Sequence, residues 1–450
     1  MSHSPYVATT NACKLCTPLG AALAFRGVEG TVPFLHGSQG CATYMRRYSI
    51  SHFREPMDVA SSSLGEKQAV YGGGANMKKG LLNVMKNYKP RLIGAASTCL
   101  TETIGEDMAM ILEEFRKEFG DLELPHVVRV STPSYSGTHV DGWHGAVRSL
   151  AEQLCEEGAG DPADLNLFPG LLSCEDIRHL GDILAGFGLR ATVLPDISRT
   201  LDGPATAELP PIPPGGTPVE AVRGMGGSGA SLELGACLPE VSAGQYLRSR
   251  FGVPCHRIGL PIGLRESDVL FRELSRISGR PTPPCREEER GRLVDAYVDG
   301  HKYLFGKRAV VFGEADLVAG LVSFLAETGV EVVLAGTGEK SPGLAGAVSA
   351  ATSGLTRNTP LVRTGVDFED IAGEMDSLQP DLLVGHSKGY PYARARDIPL
   401  IRVGFPIHDR FGGQRTRHVG YAGALDLYDR LVNAVLAVKQ ADSPVGYGYM

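Results

Sequence analysis

The feature that most constrains this chain is a recurring alternation. Short apolar runs are each followed by a stretch with apolar residues at three- and four-residue spacing. A brief run rich in β-branched residues and bounded by Gly or Pro reads as a buried strand, and helical spacing after it makes a βα unit. Repeated βα units call for parallel sheets, because parallel neighbours need a crossover connection. In the first third, residues 31–36 (TVPFLH), 91–96 (RLIGAA) and 127–130 read as strands, and 41–53, 75–88, 100–107 and 108–119 as helices. The polar run 156–164 (EEGAGDPAD) reads as a linker. A second unit holds a strand at 165–172, a helix at 175–188 and a strand at 189–194, with 209–217 (LPPIPPGGT) as a long surface loop. A third opens with a strand at 307–312 (KRAVVF) and a helix through 328. Strands at 330–334, 381–384 and 400–403 follow, with a closing helix at 422–438. The expectation is an α/β protein of three doubly wound, Rossmann-like parallel-sheet domains, at 1–160, 161–304 and 305–450.

Composition narrows the function. The 450 residues are enough for several cores, and 57 Gly with 29 Pro stay below low-complexity levels. A net charge of −7 without a long basic run makes nucleic acid and anionic membrane poor partners. No apolar stretch approaches the ~18 residues of a membrane span. The opening MSHSPYVATT lacks both the basic and the apolar region of a signal peptide. A soluble cytoplasmic protein is expected.

The nine cysteines are odd in number, which argues against a disulfide framework in such a chain. Cys13, Cys16, Cys41 and Cys99 crowd the first 99 residues, whereas Cys155, Cys174, Cys237, Cys255 and Cys285 scatter and read as buried small hydrophobes. Ligands of open α/β sheets bind beyond the carboxyl ends of strands, at helix N-termini. Cys41 follows the strand 31–36 and the loop Gly37-Ser38-Gln39-Gly40. Cys99 follows 91–96, and Cys16 precedes Thr17-Pro18, a helix start. Each stands where backbone N–H groups gather, which favours an anionic metal–sulfur cluster. Spacings of 25 and 58 residues do not suit a compact zinc site built from close cysteine pairs. Three dispersed thiols suit an Fe–S cluster whose fourth ligand comes from another subunit. Spacing alone leaves a cluster, buried structural thiols and redox thiols all open.

The segments CTPLGAALAF, LHGSQGCATYMRRY, HFREP, VYGGGANMKKGL, STCLTETIGED and TPSYSGTHVDGW resemble the nitrogenase component 1 superfamily, and within it the β-type branch. GFPIHDR at 404–410 and HVGYAGA at 418–424 agree, so the resemblance runs over nearly the whole chain. Within the branch the wording is most similar to NifN-type scaffold subunits, on which the iron–molybdenum cofactor matures. Only 15 residues precede Cys16, where catalytic β subunits usually carry a longer arm.

In scaffold subunits, the resemblance implies, the cysteine of HGxQGC, here Cys41, completes an interface [4Fe–4S] cluster with ligands from a NifE-like α chain. In catalytic β subunits the cysteines of CxPLGA, HGSQGC and TTC, with a serine of TPSF, surround the larger eight-iron P-cluster. Those positions are Cys16, Cys41, Cys99 and Ser134 here. Cys41 leads the candidates, followed by Cys16 and Cys99, with Ser134, Cys13 and His36 behind. The implied role is cofactor assembly rather than catalysis in its own right, with a nitrogenase-like oxidoreductase subunit as the alternative. Implied partners are the α chain in an α₂β₂ heterotetramer, the nitrogenase Fe protein, NifB or a carrier supplying a transient cofactor precursor, and component 1 as recipient.

Other features weigh less. Residues 224–229 (GMGGSG) match a dinucleotide fingerprint but follow a helical segment rather than a strand, and read as a flexible loop. Residues 385–389 (GHSKG) follow a strand and read as a turn or an anion-holding edge. His36 reads as a satisfied structural histidine or as a group bonded to a cluster. Residues 52–56 (HFREP) read as a helix ending before proline.

Overall fold

Among the described residues, thirteen short strands and the helices between them sort into three sheets, each built from parallel ladders alone. The structure, a computed structural model, describes residues 12–158, 161 and 163–445. The opening decapeptide and linker positions 159, 160 and 162 lie outside the described residues. The first sheet contains β1 (Thr31–His36), β2 (Ala60–Ser61), β3 (Leu92–Ser97) and β4 (His126–Val130), in the order β2-β1-β3-β4. The second contains β5 (Asp164–Phe168), β6 (Arg190–Val193), β7 (Ala230–Leu234) and β8 (Cys255–Ile258), in the equivalent order β6-β5-β7-β8. The third contains β9 (Arg308–Phe312), β10 (Glu331–Thr337), β11 (Leu361–Thr364), β12 (Leu382–Gly385) and β13 (Leu400–Arg402), ordered β11-β10-β9-β12-β13. Strand order reverses between β1 and β3, between β5 and β7, and between β9 and β12. These are the doubly wound sheets expected, each with its own crevice at the reversal.

One apolar core threads the three units, taking in Leu23, Trp143, Leu232, Phe324 and Leu427. At its centre lies the helix Thr17–Arg26, whose every residue is buried. A helix apolar all round belongs inside a protein, and TPLGAALAFR supplies small residues for close packing. It crosses the helix His139–Leu154 at two glycines. A Cβ on Gly20 would stand 1.6 Å from the His139 carbonyl oxygen, and one on Gly142 1.8 Å from that of Thr17.

Some elements differ from the sequence reading. The strand expected to reach 172 stops at Phe168, because Pro169 and Gly170, at φ +71°, turn the chain. The surface loop at 209–217 ends by reaching the first unit, where Thr217 and Gly27 pair N–H to carbonyl at 2.8 Å. GMGGSG is a tight turn leading into β7, with Met225 and Gly226 buried, since a Cβ on Gly226 would meet the Glu156 carbonyl oxygen at 2.3 Å. Among the described residues no helix is long and apolar enough to cross a membrane.

Candidate metal centre

The first sheet delivers its cysteines to one rim. β1 and β3 run in register from Thr31 opposite Leu92 to His36 opposite Ser97, so the chain leaves both strands side by side. After β1, Ser38 caps the helix Gln39–Phe53 and puts Cys41 in its first turn. After β3, Thr98 leads into the short helix Cys99–Thr103, its N–H held by Thr101 Oγ1 at 3.0 Å. Cys16 stands at the N-cap of Thr17–Arg26, with Pro18 in the first turn. Ser134, in the loop after β4, ties these segments together. Its N–H donates to Cys99 Sγ at 3.2 Å, and its hydroxyl accepts the Thr17 N–H at 3.1 Å.

The glycines of the Cys41 loop have different tasks. A Cβ on Gly37 would lie 2.0 Å from Thr98 Oγ1, so glycine there lets the Cys41 loop lie against the Cys99 loop. A Cβ on Gly40 would meet nothing nearer than Ser38 Oγ at 3.7 Å. Gly40 therefore leaves backbone open on the exposed side of the rim.

Electrostatics shows the thiols acting on one another. Burial pushes the Cys41 thiol up, and the neighbouring Cys16 and Cys99 add to the shift. Gathered thiols resist joint ionisation unless a cation takes the charge, which is what a metal centre does. Lys388, on the turn after β12, feels Cys13 and Cys16, which oppose the lowering of its ammonium by burial; its Nζ holds the Ala12 carbonyl at 2.7 Å. Cys16, Cys41 and Cys99 are all part-exposed, beside Tyr44 at 45% and Tyr135 at 67% exposure. The rim faces outward.

Cys13 and His36 stand apart from this trio. Cys13 is 4% exposed, packs in the apolar cluster of the third sheet with Phe312 and Phe368, and has its Sγ 3.9 Å from His386 Nε2. Burial, with Glu314 adding, pushes its thiol up to about 12. His36 is fully buried, with Nδ1 on Ser62 Oγ at 3.0 Å and Nε2 on Glu106 Oε2 at 3.2 Å. Both ring nitrogens are taken, the structural arrangement. The GHSKG segment is a buried turn whose Ser387 hydroxyl bonds Asp409, and HFREP is spent on the third unit: His52 Nδ1 accepts from Ile407 N–H at 2.8 Å.

One positioning residue lay unmarked in the sequence. His139 Nδ1 accepts the Leu15 N–H at 3.3 Å, its own N–H donates to the Leu15 carbonyl at 3.0 Å, and its Nε2 meets Glu314 Oε1 at 3.2 Å. This clamp sets the chain one residue before Cys16. Only the TPSYSGTHVDGW wording around it gave a signal.

Among the described residues, no three His, Cys, Asp or Glu side chains converge as they would on a single ion. A multi-iron cluster spreads its ligands over several metals, and Cys thiolates are its usual donors. The trio of thiols, with a hydroxyl behind it, fits such a group in donor chemistry. Fold and rim together define a three-sheet α/β protein that presents thiols outward from a sheet-reversal crevice.

The chain belongs to the nitrogenase component 1 type oxidoreductase family, whose description matches residues 16–436. It is 33% identical to the nitrogenase molybdenum–iron protein β chain of Clostridium pasteurianum, over 95% of this chain and 93% of that one. It is 34% identical to the nitrogenase iron–molybdenum cofactor biosynthesis protein NifN of Bradyrhizobium diazoefficiens, over 96% of this chain and 91% of that one. The solved structure of nitrogenase Cp1 at pH 6.5 superposes with a TM-score of 0.95 at 31% identity, covering 100% of this chain and 98% of that one. Both kinds of relative are matched at similar identity, so identity does not separate them.

Proposed function

We propose that this chain is a NifN-type scaffold subunit that pairs with a NifE-like α chain and carries its half of an interface iron–sulfur cluster. The observation that carries the reading is the outward-facing group of Cys16, Cys41 and Cys99, which gives thiol donors on one side only. When bound, a cluster of this kind relays electrons. Cys41 would ligate it from a helix N-terminus, with Gly40 leaving backbone free for a second subunit to approach. His139 and Ser134 would hold Cys16 and Cys99 in place. The wording of the chain within the β-type branch, most similar to scaffold subunits, supports assembly rather than catalysis. In that role the α₂β₂ complex would receive a precursor from NifB or a carrier, engage the nitrogenase Fe protein and pass finished cofactor to component 1.

A second reading rests on one observation. Ser134 bonds the Cys99 thiol and the Thr17 N–H, so the full set matched to a P-cluster meets at this rim. A β subunit of component 1 would use all four residues. The discriminating experiment counts iron and sulfide per αβ pair after anaerobic co-purification from cells lacking NifB. About four irons, one [4Fe–4S] cluster, is the result expected for the scaffold, whereas about eight moves the assignment to the oxidoreductase subunit.

A further inference from the structure

Away from the cysteine rim, β13, the loop at 403–417 and the helix Gly420–Asp442 enclose a cleft of about 750 Å³. Five of its lining side chains are arginines, namely Arg402, Arg410, Arg415, Arg417 and Arg430, and its one lining carboxylate is Asp426. Two carboxylates stand behind them: Asp409, 2.6 Å from Arg402, and Asp202, 3.6 Å from Arg415. Among the lining side chains themselves five guanidiniums face one carboxylate, while Asp202 is also held by Arg178 at 2.6 Å and Glu55 acts on Arg415 from outside the lining.

The pairing is uneven. Arg402 is held in a fork by Asp409, Nε on Oδ1 at 3.0 Å and Nη2 on Oδ2 at 2.6 Å, and Arg417 is 2.7 Å from Asp426. Arg410, 57% exposed, and Arg415 have carboxylates only at 3.6 Å, beyond hydrogen-bond reach. Arg415 is set in place by the ring of Phe411, 5.0 Å below its guanidinium. Arg430 is the anomaly. Its Nη2 donates to the Arg402 carbonyl at 2.6 Å, while its Nη1 is buried without a hydrogen-bond partner among the described residues. Burial lowers its pKa, with Asp426 opposing the shift. A part-buried guanidinium that lines one cleft with four further arginines is matched by an anion with several oxygens.

We infer that this cleft binds a compact multivalent oxyanion, a polycarboxylate or a pyrophosphate-like group, gripped by guanidinium forks that suit either oxygen geometry. The inference does not rest on the cluster assignment, because the lining contains none of Cys16, Cys41, Cys99 or Ser134. The test titrates the purified αβ complex by calorimetry with citrate and, separately, with pyrophosphate, at ~0.15 M salt to screen loose surface binding. Saturable binding, one anion per chain, is expected. It should weaken about tenfold or more in R410Q/R417Q, with the melting temperature of the unliganded complex unchanged. Tighter citrate binding identifies a polycarboxylate site, and tighter pyrophosphate binding a phosphate site. Should the double variant fold poorly, R410Q alone, at a mostly exposed side chain, carries the same comparison. Failure of both anions to saturate, or equal affinity in wild type and variants, overturns the inference.

Discussion

Two sheet-reversal crevices of this molecule, built by the same topological rule, have opposite contents. Between β1 and β3 the loops carry Gly37, Gly40, Cys41 and Cys99, and the thiols stay part-exposed. Between β9 and β12 the loops carry Glu314 and His386, both buried, and residues from elsewhere in the chain complete the filling. His139 arrives from the first unit to meet Glu314, Cys13 packs beside His386, and Ala12 bridges to Asp367 across the edge. Cys13 and Cys16, three positions apart, fall on different sides of this divide. A crevice becomes a candidate site when short residues leave it open, and a structural joint when the protein's own polar groups satisfy one another inside it.

The largest expected effect breaks the joint. His139→Ala leaves Glu314 as a buried charge without its partner and the Leu15 N–H without an acceptor, and should cost about 4 kcal/mol. Urea denaturation of the complex reads it, and loss of iron alongside would show that the closed crevice positions the open one. Gly20→Ala comes next. A new Cβ 1.6 Å from the His139 carbonyl oxygen forces the two central helices apart, at about 3 kcal/mol. Gly40→Ala, with nothing nearer than 3.7 Å, should change stability by less than about 0.5 kcal/mol.

Acid should strike the joints before the rim. Burial, first among the causes, lowers both His386 and His52 to about 4, and His52 binds the loop at Ile407. Below pH ~6.5 the unfolded chain binds protons at these positions while the folded chain does not, so stability falls as pH drops from 6.5 towards 4. Between pH 7 and 5 the loss should be about 2 kcal/mol per histidine, and His386→Leu should make the measured slope shallower. A slope unchanged by that substitution would place the acid sensitivity elsewhere.

Much of this is legible in the sequence itself. β1 lies at 31–36 as the apolar run marks it, and the helix expected at 75–88 begins one residue earlier, at Gly74. β7 was hidden by Glu233, a carboxylate inside a strand that is held by Ser242, Gly244 and Arg257. β8 and β11 are four-residue edge strands with part-exposed faces, too short and too polar for alternation to reveal. The trio of cysteines could be read because each follows a recognisable strand or helix signal. Ser134 is marked in the sequence only by resemblance, and His139 not at all, because they act through contacts 117 and 124 residues away that no local spacing encodes. The arginines of the anion cleft look like ordinary surface residues until the closing helix folds back beside β13.

The central claim is that the open crevice, and not the closed one, holds the cluster. The most direct measurement is iron and sulfide per αβ pair in Cys41→Ala and Cys13→Ala complexes, purified anaerobically beside wild type. Cys41→Ala should lose the permanent cluster. Cys13→Ala should keep wild-type iron, with only about 1 kcal/mol of stability lost from the filled joint. Unchanged iron in Cys41→Ala, or iron lost from Cys13→Ala while the fold holds, would contradict that claim.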